Sequence, residues 1–372
     1  MLVGSPKETK DNEYRVGLVP STVRELTANG HKVIIEADAG VGAGLSDVDY
    51  EAAGAEIVAN ADAVFSRAEM VVKVKEPQAP ERKKLRRGQI LFTYLHLAPD
   101  RAQTDDLIAS GVSAVAYETV TSPQRTLPLL TPMSEVAGRM APQAGARCLE
   151  KENGGRGVLL GGVPGVPPAD VVILGGGVAG THAAIISVGM GATVTVVDRN
   201  PEALRRISHQ LGARVRTVFS TRDAVETLCK RADLVIGTVL IPGAAAPKLI
   251  TASTVKAMKA GSVIVDVAID QGGCAETSRP TTHSNPTYIV DGVVHYCVAN
   301  IPGAVARTST FALSNCTLPF VLALADLGLH RALNDDEHLR NGLNVYDGMI
   351  TNRAVAEALK LKYTPAEAAL QL

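Results

Sequence analysis

A chain of 372 residues exceeds what one hydrophobic core commonly serves, and at ~150 residues per domain it predicts two domains. With 46% hydrophobic and 20% charged residues it has the make-up of a soluble globular protein, and its net charge of −1 excludes an electrostatic footprint for nucleic acid or an anionic membrane. Aromatics at 3% with no Trp exclude base-stacking platforms, while five cysteines, an odd number without a C-x-x-C pair, leave at least one free thiol and fit a reducing cytoplasm.

The chain opens on a short strand, Leu2 to Gly4, without a basic and apolar leader pattern. No uninterrupted apolar run of ~18 residues follows, which predicts a soluble, untargeted protein. A polar loop, Pro6 to Arg15, leads to a helix that Pro20 opens and Asn29-Gly30 stops. Strands are predicted at Lys32–Glu36, Met70–Val74, Ile90–Tyr94 and Ala114–Ala116, and helices at Asp47–Ala53 and Asp100–Ala109. Strands alternating with short helices imply a parallel sheet, so this portion is α/β. An amphipathic stretch from Met133 to Glu152 predicts a helix connecting two domains, and Gly161 to Pro168 reads as a loop.

The next stretch is the most informative. Val171 to Leu174 is a short apolar strand that leads into Gly175, Gly176, Gly177, Val178, Ala179 and Gly180, a G-x-G-x-x-G turn. Gly175 permits a tight exit from the strand, Gly177 lets backbone approach a pyrophosphate, and Gly180 lets the helix pack on the sheet. The helix Val178–Met190 then aims its free N–H groups at that pyrophosphate. A second strand, Thr193 to Val197, ends at Asp198, eighteen residues past the last glycine, where a carboxylate can accept ribose hydroxyls. This pattern predicts a dinucleotide site. Further strands at Val215–Phe219, Asp233–Thr238, Ser262–Val267 and His295–Val298 alternate with helices from Pro201, at Asp223–Arg231 and at Thr254–Met258, giving about six strands. Beyond Arg307 the periodicity is helical, and the tail is expected to return to the first domain.

Ligands of open α/β sheets bind beyond the carboxyl ends of the strands, so polar residues just after strands are candidates. Lys73 and Lys75 close one strand, a pattern that usually marks a solvated end. His96, between Leu95 and Leu97, has the apolar company of a structural histidine more often than a catalytic one. Asp270 follows a strand of the cofactor domain and is a candidate for chemistry. The eight histidines form no H-E-x-x-H and no Cys/His cluster, so no metal site is predicted.

Several blocks resemble the signature segments of the bacterial L-alanine dehydrogenase family. They are Pro6-Lys7-Glu8, Asn12-Glu13-Tyr14-Arg15-Val16, Lys73-Val74-Lys75-Glu76-Pro77, Tyr94-Leu95-His96-Leu97-Ala98, Pro132-Met133-Ser134-Glu135-Val136-Ala137-Gly138-Arg139 and Asp270-Gln271-Gly272-Gly273. The resemblance runs nearly the whole chain and weakens after about Asp335. It implies reversible oxidative deamination of L-alanine by NAD to pyruvate and ammonium, an activity of alanine catabolism. By the family pattern Arg15 and Lys75 hold the substrate, and His96 and Asp270 are the acid–base residues. Arg15 would grip the carboxylate and Lys75 polarise the pyruvate carbonyl. His96 would pass protons to and from the substrate oxygen, and Asp270 would activate the water that attacks the imine or stabilise the carbinolamine formed. The same resemblance puts Ser134, Val178, Ala179, Asp198, Ser220, Val239, Leu240, Val267, Ala268, Ile269, Asp270, Arg279, Val298, Ala299, Asn300 and Ile301 around NAD, with the fingerprint glycines Gly175, Gly177 and Gly180.

The expected fold is two doubly wound α/β domains, one of them a Rossmann NAD-binding domain, joined by long helices with the active site in the cleft between them. Residues 1–128 with 307–372 form the substrate domain, and residues 129–306 the NAD domain. The family further implies a cytoplasmic homohexamer. Two alternatives share the plan: the NAD-binding component of a proton-translocating transhydrogenase, whose members lack the His-Leu-Ala segment seen at His96-Leu97-Ala98, and enzymes acting on lysine-derived amino acids, which lack most of the blocks.

Overall fold

A computed structural model of the chain describes residues 1–239 and 246–371. Two compact units form, Met1–Met133 with Val305–Leu372, and Ser134–Ala304. The boundaries fall within the helix Thr131–Cys148 and the short turn Ile301–Val305.

In the first unit β1 (Leu2–Ser5), β2 (Lys32–Glu36), β3 (Glu56–Val58), β4 (Met70–Val72), β5 (Ile90–Thr93) and β6 (Ser113–Ala116) pair in parallel in the order β3-β2-β1-β4-β5-β6. The order reverses between β1 and β4, the position where open α/β sheets open a crevice at their carboxyl edge. Ile34, Val71, Leu91 and Ala114 pack with Val64, Phe65 and Leu107 from the connecting helices in one continuous core. Local chemistry sets the helix starts: Pro20 stands at the first turn of Pro20–Ala28, and Ser46 and Asp49 form a reciprocal capping box on Asp47–Ala52. Neither β3 nor the helix Ala61–Arg67 was expected from the sequence, since three and seven residues are too few to set a period.

The second unit holds β7 (Asp170–Leu174), β8 (Thr193–Asp198), β9 (Val215–Phe219), β10 (Leu234–Gly237), β11 (Val263–Asp266), β12 (Thr287–Val290) and β13 (Val293–Tyr296). They are ordered β12-β13-β11-β10-β7-β8-β9, parallel except for β12. Both faces are covered: Val171 and Ile173 of β7 enter a core with Ala141, Ala183 and Ile207, whereas Val172 and Leu174 enter another with Val225, Cys229 and Val255. Alternation to two apolar cores is what makes β7 read as a continuous hydrophobic run. The last predicted strand is corrected to Val293–Tyr296, paired through a Gly292 turn to the antiparallel β12, which was not expected.

The tail also departs from expectation. It supplies β14 (Leu343–Tyr346) and β15 (Met349–Ile350), a hairpin over Asp347 and Gly348 that extends the first sheet antiparallel to β6. The long tail helix Ala306–Asp335 breaks its helical dihedrals at Gly328. With the turn before it, this segment is long and apolar enough to cross a membrane by length and composition. Its buried face, with Thr310, Leu313, Thr317, Val321 and Leu324, belongs to the first unit, and Ser314 hydrogen-bonds Thr22 at 2.8 Å, so that face serves as a core helix.

Candidate active site

The glycine turn of the second unit meets three separate demands. Gly175 has φ +107°, a region closed to most side chains, and a Cβ on Gly180 would sit 1.8 Å from the Gly175 carbonyl oxygen. Among the described residues, a Cβ on Gly177 would meet nothing within 4 Å beyond its chain neighbours, so the space before the helix is open, as close approach of a pyrophosphate requires. Gly177 and Val178 are exposed, so the first N–H groups of the helix Val178–Gly189 face outward. These residues fit a dinucleotide.

Asp198 closes β8 and is half-buried. Its Oδ2 accepts from the Gly176 N–H at 2.5 Å and its Oδ1 from the Asn200 N–H at 2.7 Å, which locks the turn to the second strand. A carboxylate has about four acceptor sites, so capacity remains for ribose hydroxyls. Arg206, which sequence reasoning missed, ties down the same turn by donating to the Gly176 carbonyl at 2.7 Å. Arg199 is exposed.

The other cofactor candidates of this unit follow strand ends. Ser220 follows β9, Val239 follows β10, Val267, Ala268, Ile269 and Asp270 form the turn after β11, and Val298, Ala299, Asn300 and Ile301 come after β13. Ser134 is half-buried in the helix Thr131–Cys148, which lies so close to its neighbour that a Cβ on Gly138 would stand 2.2 Å from the Ala179 carbonyl oxygen. The exposed guanidinium of Arg279 lies 4.1 Å over the Tyr288 ring. Leu240 lies outside the described residues.

Asp270 is exposed on the turn Val267–Gln271. Two groups absent from the sequence reading fix that turn. Buried Asp266 accepts from Cys274 N–H at 2.8 Å and Ser278 Oγ at 2.5 Å, and Lys248 donates to the carbonyls of Gly272, Gly273 and Ala275.

In the first unit Arg15, Lys75 and His96 follow β1, β4 and β5, three adjacent strands at one sheet edge. Arg15 is buried and donates to both oxygens of Glu13, at 2.6 Å from Nε and 2.5 Å from Nη2, and it contacts Met133 Sδ at 3.1 Å. Burial opposes its charge, yet the bonds to Glu13 hold the guanidinium above its ordinary pKa. Lys75 is half-buried, and Thr93 Oγ1 donates to its carbonyl at 2.9 Å.

The expectation of a solvated strand end fails at Lys73. β4 ends at Val72, and Lys73 turns inward, 0% exposed, donating to Glu8 at 3.0 Å and Glu81 at 2.9 Å. The physical reason is that two buried carboxylates need a cation. Glu8 also accepts from the Val74 N–H at 2.7 Å and the Lys75 N–H at 3.2 Å, so the triad sets the backbone from which Lys75 extends.

His96 is exposed, unlike its apolar flanks Leu95 and Leu97, and holds a left-handed φ of +50°. Its ring stacks on Tyr94 at 5.9 Å, and Tyr94 donates to the Leu129 carbonyl at 2.5 Å. Burial raises the Tyr94 phenol well above its ordinary range, which keeps it a neutral donor.

Two doubly wound α/β units, one carrying the dinucleotide turn and its acidic partner, define a Rossmann-type nucleotide-binding protein. Comparison with known proteins gives the family. Residues 4–137 match the alanine dehydrogenase/PNT N-terminal domain and residues 141–353 the alanine dehydrogenase/PNT C-terminal domain. An alanine dehydrogenase of Halomonas elongata is 59% identical over 98% of this chain and 99% of its own. A solved L-alanine dehydrogenase structure superposes with a TM-score of 0.94 at 55% identity, covering 97% of this chain and 99% of that one. A transhydrogenase from Sinorhizobium meliloti is more distant, with a TM-score of 0.83 at 26% identity over 94% of this chain and 100% of its own. The chain belongs to the alanine dehydrogenase/PNT family.

Proposed function

We propose that this chain is an NAD-dependent amino-acid dehydrogenase that converts L-alanine and water reversibly to pyruvate and ammonium. The observation that carries the reading is full-length identity of 59% to an alanine dehydrogenase, against 26% to a transhydrogenase. Bound NAD supplies the hydride acceptor for the alanine Cα.

The chain's own groups have separate tasks in this reading. Arg15, its charge sustained by Glu13, binds the substrate carboxylate by charge-assisted hydrogen bonds. Lys75 polarises the carbonyl of pyruvate. His96 moves a proton to and from the substrate oxygen, and Asp270 activates the water that adds to the imine. Gly177, Val178 and Ala179 offer backbone N–H groups to the pyrophosphate and Asp198 accepts from ribose. Five free cysteines support a reducing cytoplasm, and the family resemblance supports a homohexamer.

The test is product analysis with purified protein, NAD and single amino acids. L-Alanine should yield pyruvate and ammonium in equal amounts with NADH, and D-alanine should yield none. Turnover of other amino acids without turnover of L-alanine would reject the reading.

A further inference from the structure

Glu118 stands in the short turn Tyr117–Thr119 directly after β6, next to β5 in the sheet, with Ala116 in register with Thr93. It is far from His96 in sequence, and neither spacing nor motif links the two. Its side chain is 16% exposed. Oε1 accepts from the His96 N–H at 2.6 Å and the Leu95 N–H at 3.2 Å, and Oε2 accepts from the Leu95 N–H at 3.2 Å. The same carboxylate lies 3.9 Å from His96 Nδ1.

These bonds bear on a strained residue. His96 holds φ +50° without being glycine, a conformation that persists only where surroundings over-determine it. One carboxylate binding two successive N–H groups is such a constraint, and Tyr94 stacked on the ring at 5.9 Å is a second. Freed from Glu118, the peptide would relax toward negative φ and carry the imidazole away from the edge it shares with Arg15 and Lys75.

We infer that Glu118 is a positioning residue that holds His96 in its left-handed conformation with the imidazole presented for proton transfer. The inference rests on the proton-transfer role given to His96 in the proposed function. Glu118 itself touches no reacting atom.

The experiment compares His96→Ala, Glu118→Ala, Glu118→Gln and the His96→Ala/Glu118→Ala double variant by kcat, KM for pyruvate, NADH affinity and melting temperature. Glu118→Ala should lower kcat at least about tenfold, as loss of an orienting partner does, with NADH affinity within a few-fold. Glu118→Gln keeps an oxygen for the two N–H groups and should restore kcat to within a few-fold of wild type. In the His96→Ala background, Glu118→Ala should cost nothing further, because there is no imidazole left to position. Should Glu118→Ala lose its melting transition, Glu118→Ser, too short to reach the His96 N–H, carries the same expectation. Wild-type kcat in Glu118→Ala with an inactive His96→Ala would overturn this inference alone, as would an additive loss in the double variant. Wild-type kcat in His96→Ala would overturn the role of His96 and this inference with it.

Discussion

Glu13 holds Arg15 by two parallel bonds along one guanidinium edge, Nε to Oε1 at 2.6 Å and Nη2 to Oε2 at 2.5 Å, with Arg15 only 2% exposed. In the proposed function, a substrate carboxylate would approach a guanidinium whose charge is already shared. The pair fixes the plane of the fork, and fixed geometry rather than raw charge is what bidentate recognition requires.

Removing Glu13 leaves a buried cation. Glu13→Ala is expected to destabilise the protein by about 3–5 kcal/mol, the usual cost of breaking a buried pair. Glu13→Gln should fold better, raise KM for L-alanine and pyruvate together, and leave NADH affinity within a few-fold. Denaturant unfolding and steady-state kinetics check both.

The triad of Lys73, Glu8 and Glu81 predicts a pH-dependent defect. Burial raises the Glu8 pKa, and Lys73 is the main group that opposes the rise. In Lys73→Met the Glu8 carboxyl loses that cation, so its folded pKa climbs further above the unfolded value of about 4.3. Groups with a raised folded pKa give their full stability below the unfolded value and lose it as pH rises through the folded one. The melting-temperature gap between wild type and Lys73→Met should thus be widest near neutral pH and shrink toward about pH 4. A gap independent of pH would mean the loss is one of packing alone.

His96→Ala and Asp270→Asn should each lower turnover by ~10²–10⁴, the usual contribution of an acid–base group. Fluorescence titration should show NADH binding within a few-fold of wild type in both. Loss of binding in parallel with turnover in His96→Ala would give His96 a structural role.

Asp198 holds the glycine turn, and the proposed function adds a ribose to its partners, so its variants should separate. Asp198→Ala removes the acceptor of the Gly176 N–H as well as a charge. It should weaken NAD and gain little with NADP. Asp198→Asn keeps an acceptor for the turn while removing the charge that repels a 2′-phosphate, and should raise NADP use relative to NAD. If exposed Arg199 then engages the phosphate, adding Arg199→Ala removes the gain, which kcat/KM with each cofactor would register.

What the sequence made legible was what periodicity and glycine chemistry report. Val171–Leu174 read as a strand because both faces are buried, and the glycine run read as a turn because Gly175 and Gly180 each bar a side chain for its own reason, while Gly177 leaves the space before the helix open. The edge residues Lys75 and His96 were visible as polar residues after apolar runs. Glu13, Glu118, Asp266 and Lys248 were not. Their partners are backbone groups or charges, three of them reached through the fold, and no spacing announces such a bond. Lys73 misled for a related reason: charge predicts solvent unless counter-charges elsewhere in the chain, here Glu8 and Glu81, meet it inside. β14 and β15 were hidden because four and two residues give no period against a helical surround.

The most direct measurement follows the hydrogen on the alanine Cα. L-Alanine carrying deuterium at Cα, incubated with the protein and NAD in ordinary water, should give NADH one mass unit heavier, with pyruvate and ammonium released in equal amount. That result requires direct hydride transfer from L-alanine to NAD. NADH without the label, or no NADH from a protein shown to bind NAD, would contradict the assignment of this chain as an NAD-dependent alanine dehydrogenase.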